Sequence, residues 1–170
     1  IQATTYDPLT AAGSPAVIAG GDLNRSAQFA PAATVRTATS VEVLVLKLTP
    51  QAPNLSLEFT GAAGLVTQGL LLAGPNSYTV DLTGTSGALG ATVSSAGTTM
   101  PRMVTVERAG TVLTLAGDTK SGFGAIAKAG AGTLYLNGAN TSGGRLSVAA
   151  GAVRVNADSL PTGPVIDLRG

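Results

Sequence analysis

The chain has 170 residues, of which 44% are hydrophobic but only 4% aromatic, and its charged share of 11% is well below the roughly 25% of an ordinary soluble domain. Ten Lys and Arg against nine Asp and Glu give a net charge of +1, which is no footprint for nucleic acid and no polybasic membrane signal. There is no Cys, which excludes disulfides and thiolate metal sites, and no His, which removes the commonest general base near neutral pH and the commonest metal ligand.

Residues 1–40 carry few strand-like runs. Asp7-Pro8, Gly13-Ser14-Pro15, Gly20-Gly21-Asp22 and Ala30-Pro31 break any regular pattern, so this segment reads as an irregular cap or linker. From residue 41 to 170 short β-rich runs follow one another. They are Val41 to Leu48, Leu55 to Phe59, Tyr78 to Leu82, Met103 to Val106 and Val112 to Leu115, then Thr133 to Leu136, Leu146 to Val148, Val153 to Val155 and Val165 to Leu168. Gly, Pro, Asn or Ser bounds each run, the signature of strands joined by tight turns. Helical periodicity is lacking, and no stretch reaches the roughly 18 apolar residues of a membrane-spanning helix. The chain starts at Ile1 without a basic-then-apolar leader, and it reads as a mature or excised fragment.

A repeat narrows the fold class. Leu70-Leu71-Leu72-Ala73-Gly74-Pro75-Asn76-Ser77 and Leu134-Tyr135-Leu136-Asn137-Gly138-Ala139-Asn140-Thr141 share the pattern Leu-x-Leu-x-Gly-x-Asn-Ser/Thr. Leu113-Thr114-Leu115-Ala116-Gly117-Asp118-Thr119 is a third copy, one residue shorter. The spacings approximate three, two and one multiples of about 21 residues, with a degenerate register near Thr92 to Gly97. That period predicts one coil of a parallel β-solenoid, with Leu, Val, Ile and Ala filling a narrow core.

The last quarter adds a family resemblance. Lys128-Ala129-Gly130-Ala131-Gly132-Thr133-Leu134-Tyr135-Leu136-Asn137-Gly138-Ala139-Asn140-Thr141 is followed by a Gly-rich turn, the strand Leu146 to Val148, Gly151, a second strand, and Leu160-Pro161-Thr162-Gly163. This closely resembles the autotransporter-associated β-strand repeat, except that Ser142 stands where that family usually has an aromatic. The match covers residues 126–170 well, 106–122 more weakly and 70–84 more weakly still. The resemblance implies an all-β, right-handed parallel β-helix in a secreted or surface-displayed bacterial protein. It implies no single activity, because the repeat serves adhesins, stalks and very large surface proteins.

Each candidate for chemistry has a plainer reading. Asn76, Asn140 and the pair Gly117-Asp118 recur in the repeat and form either a ligand-facing polar stripe or, as preferred here, turn residues. Asp118, Asp158 and Asp167 are candidate carboxylates for glycoside chemistry, but they are far apart in sequence and form no dense cluster. Lys128 and Arg145 flank glycine-rich turns, and Gly130-Ala131-Gly132 suggests a phosphate cradle. Full phosphate-loop spacing is missing and a strand follows, so two coil corners are the preferred reading. Tyr6, Tyr78 and Tyr135 are candidates for stacking on sugars. Tyr78 and Tyr135 are expected on the parity opposite the core leucines, Tyr135 with its ring outside.

The expected function is therefore structural, as a stalk, scaffold or adhesin passenger outside the cell or on the bacterial surface. No catalytic residue, metal or cofactor is expected. The rivals are a self-assembling fibre or surface-layer subunit and, further off, a carbohydrate-active β-helix enzyme. The partners in view are copies of the chain, meeting through coil ends or solenoid faces, and a cell-surface or polysaccharide ligand. Neither nucleic acid nor insertion of this segment into a membrane is expected.

Overall fold

In a computed structural model of the chain, residues 7–9, 26–85, 89–90, 102–117, 126–138, 145–156 and 166–168 are described. Every regular element among them is a strand. In chain order these are β1 (Asp7–Leu9), β2 (Ser26–Phe29), β3 (Val35–Thr37), β4 (Val41–Leu48) and β5 (Leu55–Phe59). Next come β6 (Leu65–Leu72), β7 (Tyr78–Asp81), β8 (Leu89–Gly90), β9 (Arg102–Val106) and β10 (Val112–Ala116). The last are β11 (Ile126–Ala129), β12 (Thr133–Asn137), β13 (Leu146–Val148), β14 (Ala152–Val155) and β15 (Ile166–Leu168).

The chain alternates between two sheets. A nine-stranded sheet runs β1-β2-β4-β6-β9-β11-β13-β15, with β8 also on β6, and a six-stranded sheet runs β14-β12-β10-β7-β5-β3. Every pairing is parallel, from β1 on β2 to β13 on β15. A strand from each sheet plus two corners makes one coil of about 21–23 residues, so the chain is a parallel β-solenoid.

The core lies between the sheets as continuous columns. In the six-stranded sheet Val35, Leu57, Val80, Leu115, Leu136 and Val155 stack rung on rung. In the other, Phe29, Leu48, Leu72 and Val106 do the same. Alternation explains this: in β12, Leu134 and Leu136 are buried while Thr133, Tyr135 and Asn137 are not. Removing such side chains from water stabilises the stack by about 25 cal/mol per Å² of apolar surface.

The strands β4 and β6 are longer because each contains a bend. Val41 and Val43 point inward, then the inward parity shifts by one residue to Leu46 and Leu48. Leu44 and Val45 are both half-buried where the shift occurs. The strand β6 shifts at Gly69–Leu70, directly opposite. Thr67 is fully buried beside this bend, and its hydroxyl donates to the carbonyls of Gly69 (2.8 Å) and Leu44 (3.2 Å). A buried hydroxyl is tolerated there because it is bonded.

Two sequence expectations change. Within residues 1–40 the strands β1, β2 and β3 are described, and β2 stacks in register on β4, while residues 1–6 and 10–25 lie outside the described residues. Leu113 does lie opposite Leu134, one coil away. The copy at Leu70, however, sits in β6 of the nine-stranded sheet, where Leu70 stacks on Leu46 and Val104. It is therefore out of register with the other two. The strand directly beneath β10 is β7, with Tyr78 opposite Leu113, and the Val112 amide donates to the Ser77 hydroxyl 35 residues back, one coil away. Leu65 pairs with Leu89 but Gly69 pairs with Met103, so this coil carries an insertion between Gly90 and Arg102. The register expected near Thr92 to Gly97 lies outside the described residues.

Candidate functional site

Two groups of polar side chains bear on function, those that tie coils together and those on the outer face of the six-stranded sheet.

Lys128 leads the first group. It belongs to an inward column of β11, stacked on Val104 and beneath Val148, and it is 0% exposed. Its ammonium group bends to the corner and donates to the carbonyls of Ala129 (2.6 Å), Gly130 (2.8 Å) and, one coil on, Ala150 (3.2 Å). Burial pushes its pKa below the ordinary lysine value. All three donors of the ammonium are used on main-chain carbonyls, so this corner holds a clamp and not a phosphate cradle. Arg145 is exposed, and its carbonyl accepts a hydrogen bond from the Ile126 amide. The reading of Gly130-Ala131-Gly132 as a coil corner fits this geometry.

Asn76 acts similarly. Its Nδ2 donates to the Pro50 carbonyl of the preceding coil at 2.9 Å. It is a turn residue with a cross-coil bond, and it is not in register with Gly117, which follows β10 in the other sheet. Asn140 and Asp118 lie outside the described residues, so no common polar stripe is defined for them.

Asp158 lies outside the described residues, and Asp167 falls in β15 opposite Ser147. Sequence reasoning passed over Glu58 and Asp81, which occupy adjacent rungs on the outer face of the six-stranded sheet. Each is already engaged. Glu58 accepts from Arg36 through Nη2 (2.8 Å) and Nε (3.0 Å), and from the Ser56 hydroxyl (3.1 Å). Asp81 accepts from the Thr83 amide (2.8 Å) and hydroxyl (2.6 Å), closing its own turn. Among the described residues no group of three His, Cys, Asp or Glu is placed to hold a metal ion.

The tyrosines separate. Tyr6 lies outside the described residues. Tyr78 is 1% exposed, contrary to its expected outward parity. It shares the parity of Val80 and Leu82 and stacks between Leu55 and Leu113. Its hydroxyl has no hydrogen-bond partner among the described residues, and burial pushes the phenol above its usual range. Tyr78→Phe should therefore leave stability unchanged or raise it by up to about 1 kcal/mol, because an unsatisfied buried hydroxyl is lost without a cavity. Urea unfolding checks this. A loss above that size would reveal a partner for the hydroxyl. Tyr135 does point outward, and its hydroxyl donates to Asn156 Oδ1 at 2.8 Å.

One buried charge was not foreseen. Arg102 is 1% exposed and takes the inward position opposite Ile126. Its Nε donates to the Thr67 carbonyl at 2.8 Å, and burial lowers the guanidinium pKa to about 10. The only sequence signal was its alternation with Val104 and Val106.

The chain matches no protein family, no curated protein and no solved structure.

Proposed function

We propose that the chain is a structural β-solenoid segment of a secreted or surface-displayed bacterial protein, acting as a stalk, scaffold or adhesin passenger without catalysis of its own. The supporting observation is how its polar groups are spent. Lys128, Asn76 and Thr67 bond backbone carbonyls across successive coils, and Glu58 and Asp81 are held by close neighbours. Such a molecule carries load or displays other parts. The resemblance of residues 126–170 to autotransporter repeats supports a location outside the cell. The test is protease shaving of intact bacterial cells that produce the protein, followed by immunoblotting with an antibody to this segment. Loss of the signal from unbroken cells is expected. A segment protected until lysis sinks the reading.

A second reading, a self-assembling fibre or surface-layer subunit, is favoured by one observation. Among the described residues β3 and β14 each have a strand neighbour on one side only, and Val153 and Val155 of β14 are half-buried. An open strand edge is a template for pairing. Sedimentation velocity on the chain from micromolar to millimolar concentration decides between them. Concentration-dependent growth into rods supports assembly, and a constant monomer removes it.

A further inference from the structure

We propose that the outer face of β12 and β14 is a binding strip for an acidic polysaccharide, with Tyr135 as the ring platform and Arg154 as the group that meets a sugar carboxylate. This goes beyond a passive structural role.

The chain has only three Tyr, three Phe and no Trp. Phe29, Phe59 and Tyr78 are each 1% exposed in the core. Tyr135 is placed differently, on the outer face with Thr133 and Asn137 along its strand, Thr114 on the rung before and Arg154 on the rung after. An aromatic ring with a wet hydroxyl is a typical contact group, because it offers apolar area at little conformational cost.

The ring and its neighbours are held in place. The Tyr135 hydroxyl donates to Asn156 Oδ1, and Asn156 Nδ2 donates in turn to Asn137 Oδ1. Bonds this exposed add little to folding stability, since water serves each group nearly as well. What they do is fix three side chains across two coils in one arrangement, which lowers the entropy lost on binding. At the end of β12 Gly138 sits against the backbone of Gly117, a close approach of two coils that holds this edge of the strip in place.

The chemistry of the strip selects the ligand. Arg154 is exposed, forms no ion pair among the described residues, and has no described carboxylate beside it across the rung. The strip thus offers a ring face, two amides, hydroxyls and one cation. A pyranose can lay its C–H face on Tyr135 and bond its hydroxyls to Asn137 and Asn156. Rungs about 4.8 Å apart allow successive sugars to follow successive coils. Nucleic acid needs several phosphate-binding cations, and among the described residues the strip presents one. A protein partner needs an apolar centre that the strip lacks.

The experiment measures retention of the full 170-residue chain on immobilised polygalacturonate, with dextran as the neutral surface. Retention on polygalacturonate alone is expected. Tyr135→Ala should weaken it about tenfold, from loss of ring stacking. Arg154→Gln should weaken it about fivefold or more and flatten its salt dependence. Tyr135→Phe keeps the ring and should retain most of the binding. Arg36→Gln removes an equal charge from the same face at the far end of the sheet and should change little. Thermal melts confirm that each variant is folded. The proposal is overturned if the wild-type chain is not retained, if dextran retains it equally, or if Arg36→Gln and Tyr135→Ala weaken retention alike.

Discussion

Replacing Gly130 by Ala is expected to destabilise the solenoid by about 3–4 kcal/mol, whereas the same change at Gly110 costs about 1–2 kcal/mol. Both glycines adopt left-handed backbone angles, with φ of 78° and 83°. Both variants therefore incur the left-handed penalty of a side chain, about 1–2 kcal/mol. The difference is space. A Cβ at Gly110 meets nothing within 4 Å, but at Gly130 it runs into the carbonyl of Val106 in the coil below. The coils must then separate at that corner, where the Gly132 amide donates to Val106 at 2.9 Å. Overpacking of this kind costs about 1–3 kcal/mol in addition. Against a typical total of about 5–15 kcal/mol, the change at Gly130 removes a large part of the stability. Urea midpoints of the two variants give the comparison directly. Equal losses would mean that backbone angle alone matters and that the coils do not meet at this corner.

Lys128→Met should cost about 2–3 kcal/mol, although it replaces a buried charge with an apolar side chain of similar length. Buried charges are often replaced by hydrophobic residues without loss. Here the partners are main-chain carbonyls, which remain when the ammonium goes. Those of Ala129 and Gly130 lie in a half-buried corner, and that of Ala150 belongs to the next coil. The damage should therefore concentrate at the junction of two coils. Amide hydrogen exchange in the variant should quicken first at Ala149, whose amide donates to the Lys128 carbonyl, and at Ala152, whose amide donates to Gly132. Uniform acceleration along the chain would instead mark Lys128 as a generic core residue.

Much of this architecture is written in local chemistry. Alternating Leu and Val with Gly-bounded ends sufficed for β5, β7, β10 and β12, because each fills one inward column. What local chemistry does not encode is which sheet a strand joins. Leu-x-Leu-x-Gly describes any strand that ends at a glycine corner, and both sheets have such corners. The copy at Leu70 thus looks equivalent to the one at Leu134 while lying across the core from it. The insertion after Gly90 hides the true register further, since it makes one wide coil resemble two.

The site followed the same division. Lys128 and Asn76 were legible as corner residues, because glycine turns flank them. Their bonds to other coils were not, being set by stacking and not by sequence neighbours. The inward parity of Tyr78 is that of Val80 and Leu82 in its own run, opposite to the parity expected for it. The link from Tyr135 through Asn156 to Asn137 needs two adjacent rungs to be known first. Arg102 within the core runs against the general rule that arginine stays outside, and its bond to the Thr67 carbonyl is set by stacking and not by its sequence neighbours.

The central claim is the coil register, with β7 directly beneath β10 across the insertion. It can be tested by disulfide trapping, because the chain has no cysteine of its own. Thr79 and Thr114 face outward on adjacent rungs of the six-stranded sheet. Neighbouring strands lie about 4.8 Å apart, within the Cα separation that a disulfide bridges. The double variant Thr79→Cys/Thr114→Cys should form an intramolecular bond under mild oxidation, seen as a mobility shift that reductant reverses. Leu71→Cys/Thr114→Cys, which joins the two copies of the sequence motif, should form none, since those positions lie in different sheets. The opposite pattern, with the Leu71 pair bridged and the Thr79 pair free, would contradict the register and the solenoid built on it.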